Sequence, residues 1–256
     1  MHGMAARFDT AWLVAVFLVS LRLGALFLVA PGFGTIRMPI QFRVLLTVGL
    51  AAALAGALGP YAPAPDTALG LLASGLAEVA VGGLLGFGLL AAFGAFAVAG
   101  RAMDMQIGFG VANLIDPTSR TQSPQLGTLL NLFALAAFFG FEGHHALLRG
   151  LAVSFETIPP GAGLASVGPG PLAAQFGLAF SAGLVFAAPV IVFLLLIDLG
   201  LAVMSRAMPQ MNVYFVALPL KIFAGVLMLA LSLPHAGPVM NRIFSSVFEF
   251  WTTVAR

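Results

Sequence analysis

Six long runs of apolar residues alternate along the chain with short runs that are rich in proline, glycine or polar residues. The apolar runs lie at about residues 11–30, 44–59, 70–100, 125–141, 172–204 and 213–233. A helix of about 20 apolar residues, rising about 1.5 Å per residue, crosses the hydrocarbon of a bilayer. The pattern therefore predicts an all-α integral membrane protein of about six apolar helical segments, packed as hairpins. The third and fifth runs exceed one straight crossing, which predicts that these helices are tilted, kinked or split.

Composition agrees with a membrane protein and removes several other classes. Of the 256 residues, 61% are hydrophobic and 8% are charged, too few to cover a soluble globule with polar surface. The net charge is only +2 and the basic residues are scattered, so nucleic acid is excluded as a partner. Because the chain has no cysteine, disulfides, thiolate metal sites and cysteine nucleophiles are excluded as well.

Sequence motifs give no support for catalysis. Lys221 is the only lysine, and the residues around it do not form a phosphate-binding loop. Adjacent histidines at His144 and His145 would point about 100° apart on a helix, so they cannot chelate one metal as an i, i+4 pair does. We interpret them as a loop or interfacial pair. The sequence therefore predicts neither an enzyme nor a metal or cofactor site.

Small residues in the third apolar run predict close helix packing. Gly86, Gly88 and Ala91 formally fit a dinucleotide-binding fingerprint, but they lie in a charge-free apolar run with no strand before them. Glycine and alanine at four-residue spacing allow another helix to approach closely. The residues with this spacing are Gly82 and Gly86, followed by Ala91, Ala95 and Ala99.

A polar stretch, residues 100–127, separates the third and fourth apolar runs. Four charged residues in it lie close to hydrocarbon, where charges are costly and usually functional: Arg101, Asp104, Asp116 and Arg120. Gly108 and Gly110 permit unusual backbone angles, and Pro117 and Pro124 prevent a continuous helix, so we expect an ordered, non-helical loop. At membrane depth such backbone must face protein or a water-filled lumen. A surface loop at the level of the lipid headgroups is the alternative.

Two pairs of opposite charges occur inside the apolar runs. Asp198 and Lys221 lie at similar distances on either side of Pro209, so they meet at the same depth if the fifth and sixth runs form a hairpin. Arg206, Pro209 and Gln210 would make the hairpin turn. Pairing would offset much of the cost of burial. The alternative is that each charge faces a separate wet crevice or another subunit. Arg22 and Glu78 form a second possible pair.

Several short motifs together resemble the FliR family of flagellar export-gate proteins over nearly the whole chain. The injectisome T component, a sister family, has a similar polar stretch. The segments IDPTSRTQSP and SRAMPQMNV, however, are more similar in sequence to the flagellar family. The motifs are Arg22, Pro31 to Gly34, Arg37-Met38-Pro39, Arg43, Met103-Asp104, Gly108 to Asn113, Asp116-Pro117, Ser123-Pro124, Gly143-His144-His145, Ser154-Phe155, Ile158-Pro159 and Ser205 to Val213.

This resemblance implies an assembly in the bacterial inner membrane, within the flagellar basal body. FliR-like proteins join P-like, Q-like and B-like subunits in a hetero-oligomeric helical funnel that passes exported flagellar proteins, and other components supply the energy. Residues 1–160 would be similar to a P subunit and residues 171–256 to a Q subunit. A stand-alone small-solute transporter is the less favoured alternative, because the two halves show no self-similarity.

The resemblance also assigns a role to part of the polar stretch. Residues Gly108 to Gln122, here called the gate loop, are similar to the loop that projects into the lumen of the funnel and helps to keep the pore shut. The candidate residues of this loop are Gly108, Phe109, Gly110, Val111, Leu114, Ile115, Asp116 and Pro117.

Overall fold

A computed structural model describes residues 10–31, 39–58, 67–109, 125–162, 168–208, 210 and 213–254. Eight α-helices and a short 3-10 helix, Leu233–His235, account for nearly all of these residues, and no strand occurs within the described ranges. The all-α prediction is confirmed. The helices are α1 Thr10–Val29, α2 Ile40–Leu58, α3 Ala68–Ile107, α4 Gln125–Gly140, α5 Gly143–Thr157, α6 Pro169–Ala207, α7 Val213–Ser232 and α8 Gly237–Val254.

The helices match the predicted number of membrane segments. Helices α1, α2, α3, α6 and α7 are each long and apolar enough to cross a membrane, which gives 5 candidate spans in the described part of the chain. The bent pair α4 and α5 raises this number to 6 if the pair counts as one span. The six apolar runs correspond to α1, α2, α3, α4, α6 and α7.

Two helices are longer and more continuous than their apolar runs predicted. Helix α3 continues to Ile107, so the first part of the polar stretch is helical. It ends where Gly108 takes a φ of +100°, a value that glycine adopts without strain. Helix α6 is not split at Pro189, which lies inside the helix. A proline removes one backbone donor, and transmembrane helices tolerate this loss.

Helices α5 and α8 were not predicted, because neither contains a long apolar run. In α8, apolar side chains recur at helical spacing between polar ones, and this face is buried: Met240, Ile243, Phe244, Val247, Phe250, Trp251 and Val254. We interpreted His144 and His145 as a loop or interfacial pair; the loop alternative was wrong, because both lie in the first turn of α5, and the interfacial one stays a prediction. Their ring centroids are 4.1 Å apart.

The contacts divide the chain into two compact units, of which the first comprises Met1–Leu90, Gly143–Ala173 and Val247–Arg256. In this unit α1 packs against α2 and against the glycines of α3. A Cβ atom at Gly86 would lie 2.9 Å from Cβ of Val29, and one at Gly82 would meet the backbone of Arg22. Trp251 of α8 packs against Gly88 and Gly150 and donates a 3.0 Å hydrogen bond to the carbonyl of Leu85. The predicted close approach at Gly82 and Gly86 is confirmed.

The second unit comprises Ala91–Glu142 and Ala174–Ser246. Its core is a cluster of aromatic rings from α3, α4, α6 and α8, with centroids 5.4–5.9 Å apart. The predicted small-residue spacing is used here too, because Gly183 of α6 approaches Ala95 of α3 so closely that a Cβ would lie 2.5 Å from its carbonyl oxygen. The rings belong to Phe93, Phe96, Phe138, Phe186 and Phe244.

Candidate functional site

Asp198 of α6 and Lys221 of α7 meet in the second unit. The Lys221 ammonium lies 2.8 Å from one carboxylate oxygen of Asp198 and 3.0 Å from the other. The Lys221 side chain is 17% exposed and that of Asp198 is 39% exposed, so the pair is only partly buried in this chain. Of the predicted turn residues, Arg206 is in the last turn of α6 and Gln210 is in a turn, both exposed, while Pro209 lies outside the described residues.

A third helix contributes to this pair. Nε2 of Gln106, close to the end of α3, donates a 3.0 Å hydrogen bond to Oδ2 of Asp198. The carboxylate therefore joins α3, α6 and α7 through polar contacts. The sequence analysis did not identify Gln106. A hairpin fixes the relative depth of residues on α6 and α7, but it gives no information about which residue of α3 lies beside them.

We predict that Asp198 and Lys221 are energetically coupled. Asp198→Asn or Lys221→Met alone leaves one charge without its partner and should lower the free energy of unfolding by about 1–3 kcal/mol, between the values for exposed and buried pairs. The double variant should lose less than the sum of the two. Thermal unfolding of the purified complex and motility measure the effect, with exposed Arg206→Gln as control. Additive losses would show that the pair is not coupled.

The structure describes only the beginning of the gate loop. Gly108 and Phe109 follow the last turn of α3, and the Gly108 N–H donates a 3.2 Å hydrogen bond to the carbonyl of Asp104. The other candidate residues, Gly110, Val111, Leu114, Ile115, Asp116 and Pro117, lie outside the described residues.

Asp104 contacts the helix that follows the gate loop. Its carboxylate accepts hydrogen bonds from the N–H groups of Leu126, at 3.0 Å, and Gly127, at 3.2 Å, both in the first turn of α4. Asp104 is 6% exposed. The same two helices nearly touch, since a Cβ at Gly100 would meet the backbone of Gly127.

Arg22 lies fully buried at the centre of a polar cluster in the first unit. Its Nε and one terminal nitrogen bind the two carboxylate oxygens of Glu78 at 2.6 and 3.1 Å. The remaining N–H groups donate to the carbonyl and hydroxyl of Ser154, at 3.0 and 3.3 Å, and to the carbonyl of Ile158, at 2.9 Å. The guanidinium also lies 4.3 Å from the ring centroid of Phe155. The possible pair of Arg22 and Glu78 is thus present. Ser154 of α5 adds further hydrogen-bond acceptors for the guanidinium.

In the clusters around Arg22, Asp104 and Asp198, each charged side chain binds an opposite charge or backbone groups. Within the ranges that the structure describes, no group of three or more His, Asp or Glu side chains is placed to hold a metal ion. The polar groups instead hold helices together: α1, α3 and α5 through Arg22, α3 and α4 through Asp104, and α3, α6 and α7 through Asp198.

Comparison with known proteins gives the family. The family model for "Bacterial export proteins, family 1" matches residues 13–247. A Bacillus subtilis (strain 168) protein named flagellar biosynthetic protein FliR is 33% identical over 240 residues, covering 92% of each chain. The chain belongs to the FliR family. The family resemblance read from its motifs is confirmed.

Other FliR proteins and one secretion protein are also similar to the chain. FliR of Escherichia coli (strain K12) is 31% identical over 250 residues, covering 93% of this chain and 92% of its own length. The secretion system apparatus protein SsaT of Salmonella typhimurium is 29% identical over 161 residues, which is 62% of each chain. The similarity to FliR proteins thus extends over more of the chain than the similarity to SsaT.

Proposed function

We propose that this protein is a core component of the flagellar protein export gate, where it helps to form and close the pore that unfolded flagellar proteins pass. Membership of the bacterial export family supports this role, as do the names of the FliR relatives. The greater coverage of the FliR relatives favours the flagellar system over the injectisome. The role requires no catalytic chemistry of this chain.

Exposed apolar side chains near the two ends of α3 carry the proposal of an assembly. Leu69 is 78% exposed and Met105 is 75% exposed, and they lie 36 positions apart, or about 54 Å along the helix. A hydrocarbon layer of about 30 Å covers about 39 Å of a helix tilted by 40°, the upper end of observed tilts. Lipid therefore cannot cover both ends of α3 at once, and partner helices are the natural cover for the end that lies outside the hydrocarbon.

Helix α6 leads to the same conclusion. It has 39 residues, or about 58 Å, and large apolar side chains are exposed on it from Phe176 to Val203. We infer that P-like, Q-like and B-like gate subunits cover these faces in the inner membrane of the basal body. In that assembly residues 1–160 take the place of a P-like subunit and residues 171–256 that of a Q-like subunit.

We also propose that the gate loop helps to seal the pore. The described structure bears on one end of the loop, where α3 ends at Ile107 and Gly108 takes a positive φ. The apolar residues Phe109, Val111, Leu114 and Ile115 would supply the sealing contacts, and Asp116 would fix a turn.

We predict that the chain is stable only with its partners. A tagged copy that is co-expressed with P-like and Q-like subunits and extracted in mild detergent should purify as a hetero-oligomer. The same copy expressed alone should aggregate or be degraded, because no partner covers its exposed apolar faces. Size-exclusion chromatography with mass determination measures the state. Restoration of motility in a strain that lacks its own FliR tests the flagellar role.

Two results would contradict this proposal. A monodisperse chain that functions without partners would favour a stand-alone transporter. Restoration of injectisome secretion without motility would move the chain to the sister system.

A further inference from the structure

Asp104 touches the chain on both sides of the gate loop. Its backbone carbonyl accepts the Gly108 N–H at the end of α3, and its side chain accepts the N–H groups of Leu126 and Gly127 at the start of α4. One residue therefore contacts the first residue of the loop, through its backbone carbonyl, and the first turn of the helix after the loop, through its side chain. We infer that Asp104 is a positioning residue that holds the two ends of the gate loop together. This inference rests on the proposed function of that loop.

The start of α4 needs such a partner. The first N–H groups of any helix have no acceptor within the helix, and a side chain just before the helix usually supplies one. Here the residue before Gln125 is Pro124, whose side chain contains no acceptor. Asp104 takes over this function from 22 positions upstream of Leu126. A carboxylate also interacts favourably with the positive end of a helix dipole.

Neighbouring contacts fix Asp104 itself. Gly100, one turn earlier on α3, lies against the backbone of Gly127, so no side chain separates the two helices there. Gln106, half a turn later, is bound to Asp198 of α6. The last turns of α3 are thus attached to α4 and α6 by independent contacts. Helix α3 ends just beyond these contacts, at Ile107, and Gly108 follows it with a positive φ.

The test measures amide hydrogen exchange in the assembled gate. Because the N–H groups of Leu126 and Gly127 have no acceptor within α4, their protection reports on Asp104 specifically. Asp104→Leu keeps a similar volume but removes both acceptors, and exchange at these two amides should become at least about tenfold faster. Asp104→Asn keeps one oxygen and should give an intermediate rate. Glu249→Leu, which removes an exposed carboxylate from α8, is the matched control and should leave exchange at these two amides unchanged.

The same variants are scored for leakage of small ions into cells that contain assembled gates. Asp104→Leu should leak, approaching the level of a chain from which Phe109 to Ile115 are deleted, and Asp104→Asn should leak less. Faster exchange without leakage, while the deletion leaks, would overturn the positioning role and leave the gate-loop proposal intact. Unchanged exchange in both Asp104 variants would overturn it as well. A deletion that assembles and does not leak would refute the gate loop, and the positioning role with it.

Discussion

Replacing Arg22 with leucine is expected to lower the free energy of unfolding by about 3–5 kcal/mol, the largest effect that we expect of a single polar substitution among the described residues. Arg22 is 0% exposed and Glu78 is 1% exposed, so the variant leaves a carboxylate buried without a counter-charge. It also removes the donor that Arg22 supplies to the carbonyls of Ser154 and Ile158, although the Ser154 carbonyl keeps the Ile158 N–H. Native proteins have a total stability of about 5–15 kcal/mol, so the chain should fail to accumulate.

Two further variants separate charge from geometry. Arg22→Lys keeps the charge but cannot reproduce a planar fork that reaches Glu78, Ser154 and Ile158 together, so it should lose nearly as much stability. Arg22→Leu combined with Glu78→Leu removes both charges and should lose less than Arg22→Leu alone. The amount of chain in membranes and the thermal unfolding of the purified complex are the measurements.

Exposed Arg149→Leu is the control, because it removes an arginine from α5 without removing a buried charge. If Arg22→Leu accumulates and unfolds like this control, the cluster does not stabilise the chain. If Arg22→Lys behaves like the parent protein, charge matters there and the shape of the guanidinium does not.

The contrast between the two charge pairs shows what a sequence of this kind can predict. Asp198 and Lys221 lie on either side of a short connection, so a hairpin fixes their relative depth and their proximity follows from the spacing. Arg22 and Glu78 lie on α1 and α3, with α2 between them along the chain, so no turn fixes their register. Only the packed structure shows that they meet.

The same reasoning explains the polar contacts that sequence analysis missed. Asp104 binds backbone N–H groups, which every residue except proline has, so no side-chain pattern marks its partner. Ser154 and Ile158 bind Arg22 through backbone carbonyl groups. Every residue has such a group, so a sequence does not indicate which ones accept a hydrogen bond. The gate loop was predicted from its glycines and prolines and from the family resemblance, and beyond Phe109 it stays a prediction.

Helices α5 and α8 were missed for a different reason. A search for long apolar runs detects helices that are apolar all round, such as α1 and α7. In α8 the buried residues instead recur every three or four positions, from Met240 to Val254, with polar residues between them. A search for that periodicity over residues 237–254 would have found the helix.

The glycine spacing yields the second large prediction, which concerns Gly183 of α6. A Cβ atom there would lie 2.5 Å from the carbonyl oxygen of Ala95, a backbone atom of α3 that cannot turn aside. Gly183→Ala must therefore separate the two helices and should cost about 1–3 kcal/mol, and Gly183→Leu more. Membrane accumulation and thermal unfolding of the complex measure the loss.

Gly177, six residues earlier on α6, supplies the matched control, since a Cβ there would meet nothing within 4 Å in the described structure. By helix propensity alone, each alanine would gain up to about 1 kcal/mol over glycine. Gly177→Ala should therefore be neutral or stabilising, and the two variants should differ in sign. Equal effects would mean that the contact between Gly183 and Ala95 can relax at little cost. A severe loss of assembly at Gly177 alone would instead show that a partner subunit packs closely against that face of α6.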